Sequence, residues 1–91
     1  MDITLNGYMK NVEIIDEGDD VIIRFVLDKS SERSVLRKIK CYVVTDKNTA
    51  NDIIGVDTKK EICVDGVLCG NEDYTDFQVH AIYYKPEKIY A

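Results

Sequence analysis

Apolar side chains recur at every second position over residues 21–27 and 39–43, within two stretches in the middle of this chain, residues 21–28 and 35–45. The apolar positions on one side are Val21, Ile23, Phe25 and Leu27 in the first stretch, and Ile39, Cys41 and Val43 in the second. A period of two residues places successive side chains on opposite faces of an extended chain. Both stretches therefore predict β-strands with one face in a core and the other in water.

A less regular alternation before these stretches predicts a first strand. Ile3, Leu5 and Met9 share one side of residues 3–15 and are expected to face inward. Gly7 interrupts this side, and a glycine within a strand is typical of a bulge or of a bend around a barrel.

Two further strands are predicted in the second half of the chain, over residues 60–69 and 76–84. Their expected inward side chains are Ile62, Val64, Leu68, Phe77, Val79 and Ala81. Ile82 falls on the opposite side of the last strand and is expected to face outward. Polar segments that contain glycine or serine separate the strands, as expected of turns.

A short helix is predicted between the third and fourth strands. Residues 47–54 lose the alternation, Asp46 is a suitable N-cap, and Gly55 is a suitable end. Residues 85–91 predict no element. Three strands, a helix and two strands are the order of a five-stranded Greek-key barrel in which the helix closes one end. At 91 residues, the chain is expected to form this barrel as one domain.

Basic residues are concentrated in the middle of the chain. The formal net charge is −5, which disfavours a protein that holds nucleic acid by overall charge alone. Residues 21–47, however, carry seven Lys and Arg against three acidic residues, whereas residues 1–20 and 48–91 are acidic. We therefore expect one positively charged face, on the second and third strands, in an otherwise acidic domain.

The sequence lacks the patterns of an enzyme, a metal site or a membrane protein. Cys41, Cys63 and Cys69 form no Cys-x-x-Cys pair, and the single histidine, His80, has no Ser or Cys partner nearby in sequence. We expect no catalysis, no cofactor, and reduced cysteines in a cytoplasmic protein. The first residues show no basic stretch followed by an apolar one, and no apolar run approaches the roughly 20 residues that span a bilayer.

Five short motifs follow one another along nearly the whole chain. They are Leu-Asn-Gly-Tyr-Met at 5–9, Arg-Phe-Val-Leu at 24–27, Ile-Lys-Cys-Tyr-Val at 39–43, Val-Asp-Gly-Val-Leu at 64–68 and Val-His-Ala-Ile at 79–82. In this order they resemble the five strands of the oligonucleotide/oligosaccharide-binding (OB) domain of bacterial-type single-stranded DNA-binding proteins. The family's glycine-rich linker and acidic tail have no counterpart in these residues. The resemblance implies an OB-fold barrel that binds single strands, DNA more than RNA, in replication or recombination.

Basic and tyrosine side chains occupy the outward positions of the first three strands. They are Tyr8, Arg24, Lys38, Lys40 and Tyr42, and the loop before the third strand adds Arg33 and Arg37. Single-strand binders stack bases on aromatic rings and hold phosphates with cations. The second and third strands and their loops form the usual ligand surface of an OB barrel. We therefore predict that these seven residues form a nucleic-acid-binding face.

Two functions from different classes stay open on the sequence. One is a small accessory single-strand binder, and the other is an OB module that docks on a protein partner as a subunit of a larger complex. A continuous groove containing Tyr8, Arg24, Lys40 and Tyr42 favours the first, and an exposed apolar patch favours the second. Self-association as a homodimer or higher oligomer is also expected, because small barrels leave strand edges open and Val26 and Val44 add apolar surface outside the core.

Overall fold

Six strands and one helix make up the part of the chain that the structure describes. The computed structural model describes residues 2–29, 38–70, 75–84 and 87–91. The strands are β1 (Ile3–Glu17), β2 (Asp20–Asp28), β3 (Lys38–Thr45), β4 (Ile62–Gly70), β5 (Thr75–Tyr83) and β6 (Lys88–Tyr90), and the helix is α1 (Lys47–Ile54).

Five of these strands close into a ring. β1 pairs antiparallel with β2 and with β4, β2 pairs with β3, and β4 pairs with β5. A parallel pairing between β3 and β5 completes the ring. The ring order β1-β2-β3-β5-β4, with a helix between β3 and β4, is that of a small OB-like barrel. The predicted five-stranded Greek-key fold is therefore confirmed.

β6 lies outside this ring and was not predicted. It pairs antiparallel with the end of β5, where Tyr90 faces Ile82 and Lys88 faces Tyr83. Three residues are too few for an alternating pattern to emerge from the sequence. Ile89 and Tyr90 pack against the core, so the tail of the chain helps to close the barrel.

The core lies inside the ring and follows the alternation of β2 and β3. Each predicted inward side chain of β2 is buried: Val21, Ile23, Phe25 and Leu27. On β3, Cys41 and Val43 are buried and Ile39 packs against them from a half-buried position. Among the described residues no polar or charged side chain is buried, so the core is apolar.

The helix α1 begins and ends where the sequence predicts. The Asp46 carboxylate accepts a hydrogen bond from the Thr49 backbone N–H at 2.7 Å, and this bond lowers the pKa of Asp46. At the other end, the Gly55 N–H donates to the Asn51 carbonyl at 3.1 Å. Ala50 and Ile53 are buried on the side that faces β2 and β6. The helix therefore closes one end of the barrel.

A bulge between β4 and β5 makes the prediction for Ile82 wrong. Asp65 pairs with Ala81 but Gly66 pairs with Val79, so His80 has no directly opposite residue. Beyond this extra residue, the inward and outward positions of β5 are exchanged. Ile82, expected outward, is therefore fully buried. Leu68, expected in the core, lies near the end of β4 and is 54% exposed.

Gly66 is required at this bulge because another strand passes very close to it. A Cβ at this position would overlap the carbonyl oxygen of Gln78 on β5. An alanine there is incompatible with the observed backbone separation, so glycine permits the bulge.

A second bulge lies in β1. The register shifts between Lys10 and Glu13, and Asn11 adopts a left-handed conformation with φ of 54°. Gly7, where a bulge or a bend around the barrel was expected, has no bulge and lies where β1 passes from pairing with β4 to pairing with β2. A Cβ on Gly7 would lie 2.7 Å from the Asp28 carbonyl oxygen, so a close approach explains this glycine. Ile3, expected inward, is 39% exposed at the start of β1.

Candidate functional site

The outer surface of β1, β2 and β3 carries most of the predicted site residues in ordered rows. Residues directly opposite each other on neighbouring strands point to the same face. Arg24 on β2 faces Tyr42 on β3, and Val26 on β2 faces Lys40 on β3. Two residues further along, Asp28 faces Lys38. Polar, aromatic and basic groups are thus interleaved on one continuous sheet surface.

A groove with a volume of about 730 Å³ crosses this surface. Arg24, Lys40 and Tyr42 line it together, with Ile22 and Val26 as apolar neighbours. Tyr42 is half-buried, so part of its side chain stays exposed at the groove. The groove therefore combines an aromatic ring, apolar surface and two cations.

A smaller groove of about 350 Å³ lies beside the first. Lys10, Lys38 and Lys40 line it, together with Val26 and Asp28. Because Lys40 lines both grooves, the two are adjacent on one face. The smaller groove is the more basic of the two, with three lysines and one carboxylate.

Tyr8 is on the same face but does not line either groove. It lies on β1 opposite Asp28, and the Lys10 ammonium stands 5.9 Å from the centre of its ring. This is within the range of a cation–π contact. The structure thus brings Arg24, Lys40 and Tyr42 into one groove and Lys38 beside it, with Tyr8 at its margin. Arg33 and Arg37, the remaining predicted residues, lie outside the described residues.

Carboxylates that the sequence analysis missed face these cations. Glu13 on β1 lies opposite Arg24, and Asp76 on β5 lies opposite Lys40. Both line the larger groove, which therefore carries two cations and two carboxylates. Glu13 reaches this face through the β1 bulge, and Asp76 reaches it through the β3–β5 closure. The position of Asp76 on this face could have been predicted from the Greek-key strand order, which places β5 beside β3.

The cations of the groove are not engaged by nearby carboxylates. Within the described part of the chain, no carboxylate oxygen lies within 4.0 Å of the Arg24 guanidinium or the Lys40 ammonium. The ion pairs that are present lie elsewhere, such as Lys47 with Asp16 at 3.8 Å. Arg24 and Lys40 therefore keep their hydrogen-bond donors available for a ligand.

Cys41 and Cys69 also line the larger groove but differ in their surroundings. Burial raises the pKa of the Cys41 thiol to about 12, and the negative charge of Asp76 contributes in the same direction. A thiol in this state is a poor nucleophile near neutral pH. Cys69 is half-buried, and its sulfur lies 3.9 Å from the Val67 carbonyl oxygen. All three cysteines of the chain are free thiols.

Histidine and acidic residues do not assemble into a metal site in the described ranges, where no group of three or more potential ligands occurs. His80 pairs with Asp2, with 3.7 Å between Nδ1 and the carboxylate, at an exposed position away from the groove. In the same ranges no helix is long and apolar enough to cross a membrane.

Comparisons of the chain with protein-family models, with curated proteins and with solved structures find no match. The assignment of a function therefore depends on the chemistry of the groove.

Proposed function

We propose that this protein binds single-stranded nucleic acid, DNA in preference to RNA, across β2 and β3. The observation that carries the proposal is that Tyr42 lines a single groove together with its neighbours Arg24, on β2, and Lys40, on β3. An aromatic ring stacks on any base, and cations on the same surface hold the phosphates. The resemblance in strand motifs points to the same class of ligand.

The outer surface of β1, β2 and β3 has two chemically different ends, which suit the base and the phosphate of a nucleotide. Ile22 and Val44 lie opposite each other beside Tyr42, and Val44 is 43% exposed. Lys10 and Lys38 lie toward the other end, around the smaller groove. Bases are expected at the apolar and aromatic end, and phosphates at the lysine end. A duplex presents its bases stacked inside, where Tyr42 does not reach them.

The charge of the protein limits the affinity. The net charge of −5 repels a polyanion at long range. The carboxylates in the groove reduce the local positive charge further. Binding is therefore expected to be modest and to weaken quickly as salt rises.

The three free thiols suit a reducing compartment, and we place this activity in the cytoplasm, in replication or recombination.

The test is a fluorescence-anisotropy titration of a labelled single-stranded oligonucleotide at low and at moderate salt. Saturable binding that is tighter than binding to the matching duplex, and weaker at moderate salt, supports the proposal. The reverse preference, or no binding at low salt, contradicts it.

A second function is favoured by a different surface. Val12 and Ile14 are exposed on the part of β1 that pairs with β2 on one side, and in the described part of the chain no strand pairs with its other side. An open strand edge with apolar side chains is typical of a protein-docking site. If single strands do not bind, docking on a protein partner as part of a larger complex becomes the better proposal.

A further inference from the structure

Each cation of the larger groove has a carboxylate directly opposite it on a neighbouring strand. Glu13 faces Arg24 across the β1–β2 pair, and Asp76 faces Lys40 across the β3–β5 pair. The four side chains line the groove from both of its sides. The groove is consequently close to neutral in formal charge, although it lies in the basic part of the sequence.

These carboxylates are available to a ligand. Within the described ranges, neither Glu13 nor Asp76 has an ion pair within 4.0 Å or a hydrogen bond from a side chain. Glu13 is exposed and Asp76 is half-buried. Asp76 lines the larger groove together with the buried Cys41. An ionised carboxylate is a hydrogen-bond acceptor with no donor of its own.

A surface of this kind discriminates between the parts of a nucleic acid. A phosphate that approaches Arg24 or Lys40 also approaches a carboxylate, and the repulsion offsets part of the attraction. A base with an exocyclic amino group experiences no such repulsion, because the amino group donates to the carboxylate. Cytosine presents its N4 amino group where thymine presents a carbonyl oxygen, and Asp or Glu accepts a hydrogen bond from this group.

We propose that Glu13 and Asp76 are specificity-determining residues that select single strands with amino-bearing bases, cytosine above thymine, and keep the phosphate backbone out of the larger groove. The proposal rests on the function proposed above. Phosphates are then held at the smaller groove by Lys10, Lys38 and Lys40, while a base occupies the space between Tyr42 and the two carboxylates.

The experiment compares three labelled probes of equal length at pH 7.5: oligo-dC, oligo-dT and an oligomer of abasic spacers that carries phosphates without bases. Binding of the wild-type protein is compared with binding of Glu13→Gln, Asp76→Asn and the double variant. Glu61→Gln and Asp52→Asn are matched controls, since both remove one carboxylate charge from exposed positions outside the groove. Thermal unfolding followed by circular dichroism verifies that each variant is folded.

We expect the wild-type protein to bind oligo-dC about two- to tenfold more tightly than oligo-dT, the range that one or two net hydrogen bonds provide. The double variant loses this preference and binds the abasic oligomer more tightly than the wild type does. The controls raise affinity for all three probes equally or leave it unchanged, because they alter only the overall charge.

Two results overturn the inference, and they differ from failure of the proposed function. One is equal wild-type affinity for oligo-dC and oligo-dT. The other is a cytosine preference that folded Glu13→Gln and Asp76→Asn variants retain. In either case single strands still bind, so the function stands without this selectivity. If none of the three probes binds the wild-type protein at low salt, both proposals fail together.

Discussion

Arg24 and Tyr42 lie directly opposite each other on β2 and β3, and both side chains line the same groove. The antiparallel register fixes this relationship, because paired residues of neighbouring strands share one face of the sheet. An aromatic ring beside a guanidinium provides a base with a stacking surface and with hydrogen-bond donors for the acceptor atoms on its edge. This pair is the centre of the proposed single-strand site.

Replacing Lys40 tests the electrostatic part of the site. Lys40→Ala is expected to weaken binding of all single strands and to lower the slope of log K against log salt by about 0.7, the value for one phosphate contact. Anisotropy titrations at several salt concentrations measure this slope. Lys59→Ala is the matched control, because Lys59 is exposed in the segment before β4 and away from the groove. Identical slopes for the two variants would exclude Lys40 as a phosphate contact.

Replacing Gly66 tests the bulge that shapes β4 and β5. Gly66→Ala is expected to lower the free energy of unfolding by about 1–3 kcal/mol or more, because the new methyl group overlaps the Gln78 carbonyl oxygen. Urea denaturation measures this change. At Gly55 a Cβ has room and φ is −75°, so Gly55→Ala is expected to leave stability unchanged or to raise it by up to about 1 kcal/mol. Equal stability of Gly66→Ala and the wild type would refute the bulge geometry.

The buried Cys41 thiol predicts a loss of stability at high pH. Its pKa is raised from 9.0 to about 12 in the folded protein, mainly by burial. The neutral thiol favours the folded state fully below pH 9, and this contribution is lost as pH rises from 9 toward 12, because only the unfolded thiol ionises there. The free energy of unfolding is expected to fall by about 1 kcal/mol more between pH 8.5 and 10 in the wild type than in Cys41→Val.

Urea denaturation of both proteins at the two pH values measures the difference. Other groups that titrate in this range contribute equally to both proteins and cancel. A fall of the same size in the two proteins would show that Cys41 is not shielded from water.

In β2 and β3, apolar residues at every second position made it possible to predict which side chains face inward and which face outward. The outward positions of Arg24, Lys40 and Tyr42 followed from this pattern. A strand with one face in a core shows its sidedness directly in the sequence. Glu13 and Asp76 were not predictable in this way. The position of Glu13 on this face depends on the bulge at Asn11. The position of Asp76 depends on a parallel pairing between strands that are distant in the chain.

A bulge also explains the wrong assignment of Ile82. The side chain of Ile82 changes face because one extra residue at His80 shifts the register of β5 against β4. Leu68 does not change face: it lies opposite the buried Phe77 and is exposed because β4 is near its end there. A bulge is a tertiary feature set by Gly66 and by the carbonyl it approaches, and the alternation alone does not reveal it.

Self-association through β1 remains a prediction. Ile14 is 55% exposed beside the open edge of this strand. Sedimentation equilibrium at high micromolar concentration is expected to show a dimer, which Ile14→Lys converts to a monomer. Ile54→Lys is the control, because Ile54 is exposed on α1 and away from β1. A wild-type monomer at this concentration would exclude association, and a dimer that persists in Ile14→Lys would exclude this edge.

The most direct test of the central claim is the affinity of Tyr42→Ala for a single-stranded oligonucleotide, measured by anisotropy at low salt beside Tyr42→Phe and the wild type. Stacking on an aromatic ring is worth about 1–3 kcal/mol per base, so Tyr42→Ala is expected to bind about five- to 150-fold more weakly. Tyr42→Phe keeps the ring and is expected to bind within about threefold of the wild type. A folded Tyr42→Ala variant that binds as tightly as the wild type would contradict the proposed site.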